Sequence, residues 1–131
     1  MRILIAEDDT NSRVFLFKFL SQYGECDLTV DGKEANEAFR LAFYDRRPYD
    51  LICLDVMMPE MNGYSVLRRI RSFEKAHGIE EKDFTKIIIT TALNETHHVF
   101  NAFDSGCQAF AAKPINLEKF TEVMRKLGLI E

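Results

Sequence analysis

The sequence predicts an α/β protein of five successive βα units, a parallel sheet wound on both faces by helices, on three observations. Short apolar runs alternate with longer amphipathic stretches five times along the chain. Three of the runs, ILIA, LICL and IIIT, are apolar without alternation, as in strands covered on both faces. Acidic, hydroxyl and lysine residues follow these runs directly, where open parallel sheets collect their functional groups.

The predicted strands are Arg2–Ala6, Cys26–Val30, Asp50–Leu54, Lys86–Thr91 and Gln108–Ala112. The second, CDLTV, is more mixed and suits an edge. Helical stretches lie between them. Thr10–Tyr23 carries Val14, Phe17 and Leu20, with Gly24 placed to stop it. The next starts at Asp31, has Glu34 three residues on as a capping pair, runs to about Arg46, and buries Ala35, Ala38, Phe39 and Ala42. Tyr64–Ala76 groups Val66, Leu67, Ile70 and Phe73. Glu95–Ser105 groups Val99, Ala102 and Phe103 before Gly106. The last presents Leu117, Phe120, Met124 and Leu127 and closes at Gly128. Residues 77–85 form a polar loop. Right-handed crossovers then give three α/β/α layers. Strand order is not fixed by periodicity; 2-1-3-4-5 is one of the two common solutions.

Composition narrows the function. The chain has 131 residues, 47% hydrophobic and 29% charged, as expected of one soluble domain spanning 1–131. A net charge of −4 offers no basic field for phosphate backbones, so direct nucleic acid binding is not expected. No apolar run approaches the roughly 20 residues of a membrane span, and MRILIAEDD does not read as a signal peptide. Cys26, Cys53 and Cys107 form no C-x-x-C pair, which argues against disulfides or zinc and suits a cytoplasmic location. His97 and His98 are adjacent, so on a helix they diverge by about 100° and do not form a metal pair.

Glu7-Asp8-Asp9 follows the first strand, Asp55 the third, Thr90-Thr91-Ala92 the fourth and Lys113-Pro114 the fifth. Two carboxylates about 4 Å apart repel by roughly 4 kcal/mol at an effective dielectric of about 20. A divalent cation would offset that repulsion. Oxygen-only donors select a hard ion, and so few carboxylates suit Mg²⁺. Asp9, directly before a helix, serves equally well as its cap.

These residues resemble the receiver domains of two-component response regulators, of which the chemotaxis protein CheY is a stand-alone member. The resemblance covers essentially the whole chain. It rests on Glu7-Asp8 after ILIA, Asp55 in LICLDVMMPEMNG, Thr91-Ala92 after IIIT, and Lys113-Pro114 in AFAAKP. It implies a flavodoxin-like (βα)5 fold and a phosphorelay role. A histidine kinase or phosphotransfer protein would phosphorylate Asp55, ionised at neutral pH. Asp8, Asp55 and the Met57 carbonyl would hold Mg²⁺, with Glu7 acting mainly through water. Lys113, Thr91 and the Ala92 N–H would bind phosphoryl oxygens. The Lys113-Pro114 bond is often cis in the family.

Further expectations follow from the same resemblance. Phe110 would follow Thr91 as the switch aromatic, by packing alone. The last strand and its flanking helices would then present a changed surface to a downstream effector protein. Met57 and Leu93 flank the path of hydrolytic water; both are apolar, so slow dephosphorylation is expected. The first helix is unusually apolar, and Phe15, Leu16 and Phe19 are candidates for a docking patch. A monomer or weak phosphorylation-linked dimer is expected, with no enzymatic activity beyond its own phosphorylation and dephosphorylation. The alternatives are an aspartyl-phosphate phosphatase, a flavin carrier of the same topology, or a receiver excised from a longer protein. The first would place a second carboxylate at position 57, and the second a glycine- or hydroxyl-rich loop after the first strand.

Overall fold

The computed structural model describes residues 1–92 and 106–131. Five parallel strands lie in the order β2-β1-β3-β4-β5. They are β1 (Arg2–Ala6), β2 (Glu25–Thr29), β3 (Leu51–Asp55), β4 (Lys86–Ala92) and β5 (Ala109–Lys113). The helices are α1 (Thr10–Leu20), α2 (Gly32–Tyr44), α3 (Gly63–Ala76) and α4 (Leu117–Lys126), with a 3₁₀ turn at Glu81–Asp83 in the predicted polar loop. The expected helix Glu95–Ser105, with His97 and His98, and the expected lifetime residue Leu93 lie outside the described residues.

Successive side chains of each strand face opposite layers. Leu4, Ile52, Leu54, Ile87 and Ile89 meet Ala35, Phe39, Val66, Leu67 and Ile70 of α2 and α3. Ile3, Ile5, Leu51, Cys53 and Ile88 meet Leu16, Phe19, Leu20, Phe120 and Met124 of α1 and α4. Each fully buried Ile or Leu contributes about 1.5–3 kcal/mol over an exposed one. The non-alternating runs ILIA, LICL and IIIT thus feed two cores at once, while mixed β2 takes an edge as expected.

Several boundaries differ from the sequence reading. β3 and β5 run one residue further, because Asp55 pairs in register with Thr90 and Lys113 with Ala92. α1 ends at Leu20, with Ser21 as its C-cap, and Gly24 does not stop it. Gly24 is needed for another reason: a Cβ there would sit 2.1 Å from the Met1 carbonyl oxygen. On α1 the buried stripe is Leu16, Phe19 and Leu20, whereas Val14 and Phe17, expected inside, are exposed. α2 ends at Tyr44 rather than near Arg46, which has a left-handed φ of 62°. Gly128 closes α4 with φ 78° as predicted. All three cysteines are free, and burial raises the pKa of Cys53 strongly. No helix among the described residues is long and apolar enough to cross a membrane.

Candidate functional site

The carboxyl ends of β1, β3 and β5 bring Glu7, Asp8, Asp55 and Lys113 together. Carboxylate oxygens of Glu7, Asp8 and Asp55 all lie within 4.8 Å of one another. The Lys113 ammonium stands 2.6 Å from Glu7 Oε1 and 3.1 Å from Asp55 Oδ1. Glu7 and Asp55 are buried and Asp8 is exposed, so the cluster opens to solvent on the Asp8 side. Asp55 and Lys113 are the last residues of their strands and are held in the ladder. That fixes both backbones far better than a loop would. The Lys113-Pro114 bond is cis.

Asp9 is not part of the cluster. Its carboxylate caps α1 by accepting from the Ser12 N–H at 2.8 Å, and that bond holds its pKa below the ordinary value. The acidic turn is shaped instead by Arg13, whose guanidinium donates to the Glu7 and Asp8 carbonyls at 2.9 and 3.3 Å.

Electrostatics separate the paired groups. Burial first, then the hydrogen bond and charge of Glu7, push the Asp55 carboxyl up to about 8, against the pull of Lys113. The Lys113 pKa is raised by Glu7 and Asp55, which outweigh its partial burial. From protein groups alone Asp55 therefore keeps its proton to a higher pH than a free aspartate, a shift the sequence did not announce. The missing factors were the burial of Asp55 and, after it, the buried Glu7 carboxylate beside it. A cation would reverse the balance. The donor set fits one: three carboxylates, all oxygen donors, lie within 4.8 Å of one another and open to solvent at Asp8.

Two glycines escaped the sequence reading because their role lies in distant backbone. A Cβ on Gly63 would fall 2.4 Å from the Asp55 carbonyl oxygen, and one on Gly32 1.7 Å from that of Met61. Both helices α2 and α3 thus start against the 56–62 loop. Gly63 N–H donates to the Val56 carbonyl at 3.0 Å, and Asn62 caps α3 through the Ser65 N–H. The signal was available in part, since Met-Asn-Gly before an apolar periodic run marks a helix start. Met57 carries an exposed side chain in this loop.

Thr91 is buried at the end of β4, next to Ala92, which pairs in register with Lys113. Phe110 is half-buried against the core shared with Ile89, its register partner. Thr91 lies two residues beyond Ile89 and so on the same face. Of the α1 docking candidates, Phe15 is exposed, but Leu16 and Phe19 are buried in the core. The exposed apolar residues of α1 are Val14, Phe15 and Phe17.

The family model described as "Response regulator receiver domain" matches residues 3–125. Curated relatives include hybrid signal transduction histidine kinase L of Dictyostelium discoideum, 32% identical over 97% of this chain and 7% of that protein. Regulatory protein VanRB of Enterococcus faecalis is 31% identical over 99% of this chain and 55% of its own length. The chain thus spans about half of this regulator and a small part of the kinase. Among solved structures, the receiver domain of Saccharomyces cerevisiae Ssk1, crystallised with the phosphotransfer protein Ypd1, aligns with TM-score 0.78 and 28% identity. That alignment covers 95% of this chain and 86% of the other. The receiver domain of sensor histidine kinase PA1611 from Pseudomonas aeruginosa PAO1, with a magnesium ion coordinated in its active site cleft, aligns at 0.76 and 26%, covering 97% of both chains. With nearly its whole length inside the family match, and its relatives drawn from regulators and kinases, this protein belongs to the response regulator receiver domains of two-component signal transduction.

Proposed function

We propose that this receiver accepts a phosphoryl group on Asp55 from a phosphohistidine of a histidine kinase or phosphotransfer protein. The observation that carries the reading is the buried Asp55 carboxyl, shared between Lys113 at 3.1 Å and the Glu7–Asp8 carboxylates. An Asp55 oxygen attacks phosphorus, the P–N bond breaks, and the imidazole leaves, giving an acyl phosphate on the protein. Held by Asp8, Asp55, the Met57 carbonyl and, through water, Glu7, Mg²⁺ would neutralise charge on the carboxylates and the phosphoryl oxygens. Lys113 supplies a further cation, and Thr91 and the Ala92 N–H bind the remaining oxygens.

The Thr91 hydroxyl, drawn to the phosphoryl group, opens space for Phe110. The surface of β5 and its flanking helices then changes for a downstream effector. The donor docks beside α1, over Phe15 and the groove it lines with Asn11, Ser12, Pro114 and Ile115. The Ssk1 receiver, solved with its phosphotransfer partner, supports such a donor. The chain acts as a cytoplasmic switch with no catalysis beyond its own modification, as a monomer or weak phosphorylation-linked dimer.

Incubation with acetyl phosphate and Mg²⁺, followed by intact-mass measurement, tests the core of this reading. One added phosphoryl group is expected, lost in Asp55→Ala and without Mg²⁺. An unchanged mass with acetyl phosphate and other acyl-phosphate donors, or a gain that survives Asp55→Ala, overturns it.

A further inference from the structure

The outer faces of α2 and α3 meet along a groove of about 370 Å³ lined by Asn36, Arg40, Arg68, Arg69, Ser72 and Phe73. Residues at i, i+4, i+8 spacing stack along one helix face. α2 places Asn36, Arg40 and Tyr44 in such a row, and α3 places Arg69 and Phe73, continued by its C-cap His77. Contacts across the groove show that the rows oppose each other. The Arg40 guanidinium lies over the Phe73 ring at 5.5 Å, and the Tyr44 ring meets Phe73 at 5.9 Å and His77 at 6.1 Å. The groove therefore has two chemically distinct ends. Its start is a cluster of guanidiniums, and its far end is an aromatic shelf carrying exposed Tyr44 and His77.

Arg40, Arg68 and Arg69 are all exposed, and none forms an ion pair with a carboxylate among the described residues. Among the described residues Arg68 reaches the Ser65 hydroxyl, at 3.3 Å. In a chain of net charge −4, such a cluster is a local reversal of sign. Planar guanidiniums match carboxylates in bidentate pairs, and Arg40 is pre-organised by its ring contact. A nucleic acid is the poorer match. It needs an extended basic stripe, whereas α2 also carries exposed Glu34 and Glu37.

We propose that the α2–α3 groove is a docking surface for a short acidic protein segment whose carboxylates are followed by apolar or aromatic residues. The carboxylates pair with Arg40, Arg68 and Arg69, and the apolar residues cover Tyr44 and the His77 ring. This surface is separate from the carboxylate cluster and from the α1 face, so it adds a contact that does not require phosphorylation.

The test is fluorescence anisotropy with a labelled synthetic peptide, a run of glutamates followed by Leu and Phe, added to the whole chain and to Asp55→Ala. Binding is expected in both with Kd of about 10–300 μM, weakening as salt rises. Arg40→Gln/Arg68→Gln/Arg69→Gln should weaken it about tenfold, while phosphorylation by acetyl phosphate continues. Tyr44→Ala should weaken this peptide but leave an all-glutamate peptide unchanged. Three results overturn the proposal: no binding up to about 1 mM, equal affinity in the triple arginine variant, or tighter binding of a thymidine oligonucleotide than of the peptide. Since Asp55→Ala is included, failure here is distinct from failure of the phosphoacceptor reading.

Discussion

Glu7 shows how one buried side chain alters a site. It reaches from the end of β1 into the buried space beside Asp55, where its oxygen meets Lys113 at 2.6 Å. The convergence of Glu7, Asp8, Asp55 and Lys113 was legible from sequence, because each directly follows an apolar run. The upward shift of the Asp55 carboxyl was not, since it depends on which side chains lose water. The division between Asp9 as ligand and Asp9 as cap was settled by one bond to Ser12. Signal lifetime belongs at this scale as well. Met57 and Leu93 carry no group that orients a water molecule, so loss of the phosphoryl group is expected to be slow. A phosphate-release time course should be faster in Leu93→Glu than in the parent; equal or slower release sinks the idea.

At the level of elements, α3 is tied to the sheet by a buried network that the sequence did not announce. Arg71 pairs with Glu74 at 2.6 Å and donates to the Gly106 and Thr85 carbonyls and to Gln108 Oε1. Glu74 accepts in turn from the Thr85 N–H at 2.8 Å. Three elements remote in sequence, α3, the start of β4 and the approach to β5, are thereby joined. Periodicity marks Arg71 only as an interruption of an apolar stripe, because its partners other than Glu74 lie 14 to 37 residues away. Removing one partner leaves a buried charge unpaired, so Arg71→Met should cost about 3–5 kcal/mol in urea unfolding. Arg71→Met/Glu74→Leu should recover much of that loss. A double variant less stable than the single would show that the backbone contacts, not the charge pair, dominate. α1 supplies the opposite lesson. Its apolar content was evident, but which residues face inward depended on the helix's rotation against the sheet, and Val14 and Phe17 lie outside.

For the whole molecule, the raised Asp55 carboxyl links stability to pH. In the unfolded chain an aspartate titrates near 3.9, whereas folding pushes Asp55 up to about 8. The folded state thus holds a proton that the unfolded state releases. Its contribution is fully present below about 4 and declines as pH rises through about 8. Metal-free protein should therefore lose stability across that window, and Asp55→Asn should lose less. Mg²⁺ held there as proposed would displace the same proton, so its affinity should climb between pH 6 and 8 by up to about tenfold per unit. Calorimetric Mg²⁺ titrations check this; a pH-independent affinity contradicts it. The fold itself was readable because non-alternating strands demand cover on both faces. The two cores and the strand order then followed from packing that no single segment contains.

The glycines at the starts of α2 and α3 have a mechanical consequence. With Gly32 and Gly63 pressed on the Met61 and Asp55 carbonyls, the loop after Asp55 is a wedge driven between two helix starts. A wedge so seated resists breathing. Its amides, Gly63 above all, should exchange with heavy water as slowly as those of β3 rather than at the rate of a surface turn. Gly63→Ala should loosen it and quicken that exchange.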